Sequence, residues 1–267
     1  MTSRIDQVFA RLRADRRPGL VTFTTAGDPD LPRSATILRA LDRAGADVLE
    51  VGVPFSDPLA DGPVIQRATE RALAAGSSLR ASLALVAEVR ADVSAPIVIF
   101  SYANPLIHMG IDTFARRAAS CGVDGVLVLD LPIEEAQGFH DTLSAVGLDT
   151  IFLLSPTTTD ARIRGAAQLG SGFLYGISRL GVTGARDTVA SGAARLVARI
   201  RTLTAMPVAL GFGISRPEHV AEVCAYADAA VVGSALVSLI AAESSSPALI
   251  DRVEEYVRWL KGGLGAS

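Results

Sequence analysis

Between Leu20 and Ile240 the chain repeats one pattern: a short apolar run, a turn, then a longer segment whose apolar residues recur at helical spacing. Few folds accept that alternation, because a parallel strand needs a crossover connection of helix length before the next strand can lie beside it. Eight strand candidates follow: Leu20–Thr24, Val48–Val51, Ile97–Phe100, Gly125–Val128, Asp149–Leu153, Phe173–Tyr175, Pro207–Leu210 and Ala229–Val232. Helical stretches between them include Ser34–Ala44, Pro63–Ala75, Asp112–Ala119, Ile133–Ala145, Thr188–Arg201 and Pro217–Ala225, most introduced by Pro, Asp, Ser or Thr. A leading helix, Ile5–Ala14 within segment 1–17, and a helix inserted before the third strand, Ser82–Val89, complete the order. Eight such units close into a single α/β domain, a (β/α)8 TIM barrel. The open doubly wound sheet is the alternative, but the turn after the first strand, Thr25-Ala26-Gly27-Asp28-Pro29, lacks the glycine fingerprint that fold carries there.

Length and composition fit one such barrel over 1–267. Hydrophobic residues make up 49% and aromatics only 5%, which suits buried parallel strands covered by helices better than an aromatic-rich sandwich. No Pro- or Gly-rich linker divides the chain; Ser244-Ser245-Ser246-Pro247 reads as a loop before the last helix, and the tail 262–267 is expected to fray. The net charge of −3, with no basic block interleaved with aromatics, argues against nucleic acid as a partner. Cys121 and Cys224 have no metal-like or redox spacing and read as buried thiols. Met1–Arg17 is charged throughout, without an apolar run of the kind found in a signal peptide or a membrane span, so a cytoplasmic location is expected.

In a barrel of this kind functional residues gather at the C-terminal ends of the strands. The second apolar run ends in Glu50, where burial would raise a carboxylate's pKa and fit it for acid/base work near neutrality; a surface Glu at a strand end is the plainer alternative. The stiff acidic loop that follows holds Asp57 and Asp61. Asp61-Gly62-Pro63 also has the form of a simple helix cap. Three glycine-rich loops follow the last three strands: Gly181-Val182-Thr183-Gly184, Gly211-Phe212-Gly213-Ile214-Ser215, and Gly233-Ser234 before an apolar helix. Such loops let backbone N–H groups and a helix N-terminus approach an anion, so they predict a phosphate site. His108, His140 and His219 form no ligand-like pair, no cofactor motif is present, and no lysine falls on a strand to form a Schiff base. Proton-transfer chemistry on a phosphorylated substrate remains.

The stretch from Glu50 to Gln66, EVGVPFSDPLADGPVIQ, resembles the most diagnostic segment of the tryptophan synthase α-subunit family. The resemblance continues in order through Ala26-Gly27-Asp28-Pro29, Tyr102-Ala103-Asn104-Pro105, Asp130-Leu131-Pro132, Ser155-Pro156-Thr157-Thr158 and the glycine-rich loops. It implies a lyase that splits indole-3-glycerol phosphate without metal or cofactor. By this resemblance Glu50 is the general acid/base that protonates C3 of the indole ring, and Asp61 accepts the indole N–H. Gly184, Gly213, Gly233 and Ser234 hold the phosphate, and Thr183 closes the sixth loop. Phe23, Phe100, Leu127, Leu129, Leu153 and Tyr175 line or surround the indole pocket. The loop carrying Pro54 and Asp57, with Asn104 and Pro105, resembles the contact surface for a pyridoxal-phosphate β subunit in an α2β2 assembly. Phe100-Ser101 and Leu129 depart from the family's commoner residues and bear on pocket shape. A stand-alone lyase releasing indole, a non-catalytic barrel subunit and a barrel isomerase are the competing readings.

Overall fold

The computed structural model describes residues 2–177, 189–211 and 213–264, with 189–191 described by backbone alone. Eight parallel strands hydrogen-bond in sequence order, β1 to β8, and β8 returns to β1 to close the barrel. They are β1 Gly19–Thr25, β2 Val48–Gly52, β3 Ile97–Ser101, β4 Gly125–Val128, β5 Asp149–Leu154, β6 Leu174–Ile177, β7 Val208–Gly211 and β8 Ala229–Val232. All eight expected strands are present, displaced by no more than one residue at either end except for β6, which runs two residues further than expected, to Ile177. The helices are α1 Arg4–Ala14, α2 Leu31–Arg43, α3 Pro63–Ala74, α4 Leu79–Val89, α5 Ala103–Met109, α6 Ile111–Cys121, α7 Gln137–Ser144, α8 Asp160–Leu169, α9 Val189–Arg201, α10 Pro217–Cys224, α11 Ser234–Ala242 and α12 Leu249–Lys261.

Helix starts moved where a cap could be made. α2 begins three residues before the expected Ser34 because Asp30 accepts the Arg33 N–H (2.8 Å) and Pro32 sits in the first turn, where its missing N–H costs nothing. α4 likewise starts at Leu79, with the Ser78 hydroxyl accepting the Ala81 N–H. The helix expected over Ile133–Ala145 is two pieces: a 3-10 turn at Ile133–Glu135, then α7. α5 was not among the expected helices; Pro105 falls in its first turn, where a missing N–H is tolerated, and Asp130 accepts the Ala103 N–H that opens it (2.7 Å). Of the tail expected to fray, Gly262–Leu264 forms a 3-10 turn packed on α10, where a side chain at Gly263 would strike the Pro217 backbone. Cys121 and Cys224 are free thiols, half-buried rather than buried. No single helix among the described residues is long and apolar enough to cross a membrane.

Alternation along each strand sorts side chains into two cores. Leu49, Val51, Ile97, Ile99, Val208 and Leu210 point outward against the helices, while Val48, Val98, Leu127, Ile151, Ala209 and Val231 fill the barrel interior. Glu50, two residues after Val48, therefore points inward. The N-terminal end of the interior is stoppered by α1, whose Ile5, Phe9 and Leu12 join the interior cluster, with Phe9 and Phe173 ring centroids 5.5 Å apart. Burying those three side chains contributes about 1.5–3 kcal/mol each. Close approach requires glycine beneath the helix: a side chain at Gly125 would lie 2.9 Å from Ile5, and one at Gly19 2.8 Å from Leu12.

The same end is tied by aspartates that precede alternate strands. Asp47 accepts the Leu20 N–H (2.9 Å), Asp124 the Ile97 N–H (2.8 Å) and Asp228 the Val208 N–H (2.8 Å). Each also meets arginine: Arg17 on Asp47 (2.8 Å), Arg4 and Arg90 on Asp124 (both 3.2 Å), and Arg201 on Asp228 (3.2 Å).

Candidate active site

At the opposite, C-terminal end, the strand ends and the loops after them surround a cavity of about 180 Å³. Phe23, Phe100 and Tyr175 form its aromatic wall; Phe23 meets Phe100 edge-on at 5.2 Å, and Phe100 lies 6.3 Å from Tyr175. Asp61 and Ile65 close one side. Gly211, Gly213, Gly233 and Ser234 form the other. The cavity thus joins an apolar, ring-lined half to a half built of glycine backbone.

Glu50 is fully buried in the barrel interior, in register with Phe23 on β1 and Val98 on β3. Neither carboxylate oxygen meets a hydrogen-bond partner on the protein. Burial raises its pKa to about 8, so the group is mostly protonated at neutral pH and able to give up that proton. Its charge reaches Tyr175, whose own pKa is raised well above the ordinary value by burial and then by Glu50. Glu50 is not on the cavity wall; it sits beneath the aromatic ring set.

Asp61 is held differently. Helix α3 is capped by Gly62 with Pro63 in its first turn and no side-chain cap, so the Asp61 carboxylate is not spent as a helix cap. The Tyr102 hydroxyl donates to Asp61 Oδ2 (3.1 Å) and accepts the Ala60 N–H (2.9 Å), while the Gln66 amide donates to the Asp61 carbonyl (2.9 Å). Burial raises the Asp61 pKa, and the Tyr102 hydrogen bond partly offsets that rise. A carboxylate so placed at the cavity wall can accept an N–H or stabilise a cation on a bound ring.

On the glycine side, Gly213 has φ +52, the left-handed conformation that favours glycine, and a Cβ there would meet nothing within 4 Å. Gly233 precedes α11 and offers no side-chain cap, so among the described residues no side chain occupies the first N–H groups of this apolar helix beside the cavity. Such a terminus carries partial positive charge and suits an anion. Gly184 and Thr183, the other residues expected here, lie outside the described residues, as does Phe212.

Other expectations separate on inspection. Leu127 is fully buried among the interior strand residues and does not line the cavity, although it pairs in register with Phe100, which does. Leu129 reaches a small neighbouring void shared with Asp61 and Tyr102. Leu153 packs on the interior cluster. Asp57 and Asn104 are exposed and Pro105 half-buried, but Pro54 is buried under its loop and has no surface to offer a partner. Tyr102, Ile65, Ile177, Ile214 and Val231 were not singled out as site residues, although all but Ile214 lie at or just beyond a strand's end or on the helix after it. Tyr102 follows the last residue of β3, and that position was the available signal. Among the described residues no group of three or more His, Cys, Asp or Glu is arranged to hold a metal ion.

The family model for tryptophan synthase alpha chain matches residues 9–263. Curated relatives include the tryptophan synthase alpha chain of Solibacter usitatus, 44% identical over 99% of both chains, and that of Carboxydothermus hydrogenoformans, 49% identical over 89% of both. Among solved structures, Mycobacterium tuberculosis tryptophan synthase superposes with a TM-score of 0.92 at 36% identity, covering all of both chains. Tryptophan synthase subunit alpha from Legionella pneumophila superposes with 0.91 at 35% identity and 99% coverage of each.

Proposed function

This chain belongs to the tryptophan synthase alpha chain family, and from that premise we propose how its own residues carry the reaction. The enzyme is a carbon–carbon lyase of tryptophan biosynthesis that splits indole-3-glycerol phosphate into indole and glyceraldehyde 3-phosphate. Protonated Glu50 delivers its proton to C3 of the indole ring, which breaks aromaticity in the five-membered ring and leaves a cation on the ring nitrogen. Asp61 accepts the N–H and stabilises that cation. The carboxylate left on Glu50 takes the proton of the glycerol hydroxyl next to the scissile bond; the bond's electron pair returns to the ring as the aldehyde forms. The net change moves one proton from oxygen to carbon. Meeting C3 requires the Glu50 side chain to turn up past the aromatic wall.

The observation that carries this reading is an inward, unpaired, fully buried Glu50 directly beneath a cavity that is aromatic on one side and glycine-lined on the other. Phe23, Phe100 and Tyr175 suit the indole. The phosphate goes to Gly213, Gly233 and Ser234 at the start of α11, with Gly184 and Thr183 completing the closed site.

The partner is the β chain, which consumes the indole; a small apolar product escapes unless the two sites are joined. Large apolar side chains support a docking surface at this end of the barrel: Leu59, in the loop after β2, is 93% exposed, and Ile107, after β3, is 64% exposed. Asp57, Asn104 and Pro105 lie on the same segments. A cytoplasmic location belongs to this reading. The test is indole release from indole-3-glycerol phosphate as a cognate β chain is titrated in, alongside sedimentation. Turnover that rises with an α2β2 species is expected. Full turnover alone with no complex at micromolar concentration would assign a stand-alone lyase, and no cleavage under either condition a non-catalytic subunit.

A further inference from the structure

A second cavity, of about 270 Å³, lies at the opposite end of the barrel, between the end of α1 and the segments that enter β7 and β8. Its apolar lining is Pro18, Pro207 and the edges of Phe9 and Leu12, which are otherwise buried in the barrel interior, and Arg13, Arg16 and Arg17 also line it. Segment 11–17 holds Arg11, Arg13, Arg16 and Arg17 against the single acid Asp15, a local positive excess in a chain of net charge −3. Arg17 is committed to Asp47 (2.8 Å). Among the described residues Arg13 and Arg16 form no ion pair, so their guanidinium groups remain free at the rim.

Arg16 is also the one side-chain-bearing residue with a positive φ among those described, at 52°. It stands just past the end of α1, where its N–H reaches the Arg13 carbonyl (3.2 Å) and the Arg17 N–H reaches the Leu12 carbonyl (3.0 Å). That pattern is the helix-ending turn in which glycine is the favoured residue. An arginine in that position carries a conformational cost that glycine would not.

We propose that this cavity is a binding site for a small amphipathic carboxylate, whose apolar body packs on Pro18, Pro207 and the edge of Phe9 while Arg13 and Arg16 clasp its head. Guanidinium forks match a carboxylate in two-point contact. Asp228 also lines the cavity, and although Arg201 pairs with it, its charge favours a singly charged head over a dianionic phosphate. The site is independent of the cavity at the other end of the barrel.

Calorimetric titration of the full chain with 3-phenylpropionate tests this, with inorganic phosphate and glycerol phosphate as comparisons. Saturable one-site binding is expected, undisturbed by glycerol phosphate and weakened at least about tenfold in Arg13→Gln/Arg16→Gly. Arg16→Gly alone should raise the Tm while lowering affinity, opposite signs that a purely structural arginine does not produce, and the cleavage rate should be unchanged in both variants. Unsaturable uptake, unaltered affinity in the double variant, displacement by glycerol phosphate, or inorganic phosphate binding as tightly would each overturn the assignment.

Discussion

At the N-terminal end of the barrel Asp47, Asp124 and Asp228 are each gripped by a strand N–H and at least one arginine, whereas at the C-terminal end Glu50 has no partner and Asp61 has one neutral phenol. The residue types are alike and all are largely removed from water. What differs is the number of donors around them. Arg17 and the Leu20 N–H fix Asp47 in place, and the pairing pushes the Arg17 pKa up. Burial still raises the Asp124 pKa, but its oxygens are already committed to Ile97, Arg4 and Arg90. Such groups staple strands together. A carboxyl left unpaired at a strand end is poorly solvated as an anion, holds its proton to a higher pH and can pass it to a substrate.

The sharpest way to break this comparison is Glu50→Gln, which keeps shape and removes the proton. Cleavage should fall by roughly 10²–10⁴-fold with the fold intact. Near-normal turnover would remove Glu50 from the chemistry. In the parent, kcat/KM should decline as pH rises through about 8, because the protonated form is the competent one. Stability should follow the same group: the folded state favours protonated Glu50, so its contribution is present below about 4.5 and is lost as pH rises toward about 8. Glu50→Gln should therefore melt higher than the parent at pH 9 and match it at pH 4.

Asp61→Asn should cost about 10²-fold in turnover by removing the charge that offsets the indole cation, with little change in Tm. Retained turnover would reduce Asp61 to a partner for Tyr102. Asp47→Asn, at the other end, should do the reverse: denaturant titration should register a loss of roughly 2–3 kcal/mol, while the cleavage rate per folded molecule stays unchanged. A drop in turnover there would dissolve the division of labour between the two ends.

The smallest effect is expected from Tyr102→Phe, under tenfold on kcat. Its hydroxyl holds the Asp61 pKa below what burial alone would give, so losing it should move the acid limb of the pH–rate profile to higher pH. An unmoved limb would mean that another group sets it.

Local pattern was enough to read the strands, because periodicity and turn residues act within a few positions. The glycine-rich ends of β7 and β8 were legible for the same reason. Local pattern did not decide which face Glu50 takes: Val48, Leu49 and Val51 make both faces of the strand apolar, and only the closed barrel puts Val48, and with it Glu50, on the interior side. Pairings across the barrel were not legible either. Tyr102 and Asp61 are 41 residues apart and meet only because neighbouring strands place their C-terminal ends side by side. The burial of Leu127 and Pro54, and the bond from Asp47 to the start of β1, likewise depend on strand stagger and barrel closure. Sequence sets which side chains of a strand share a face, but which face turns inward and how deep each residue lies are fixed by barrel closure and by how far each strand slides against its neighbours. That sliding is decided only when all eight strands have closed on one another.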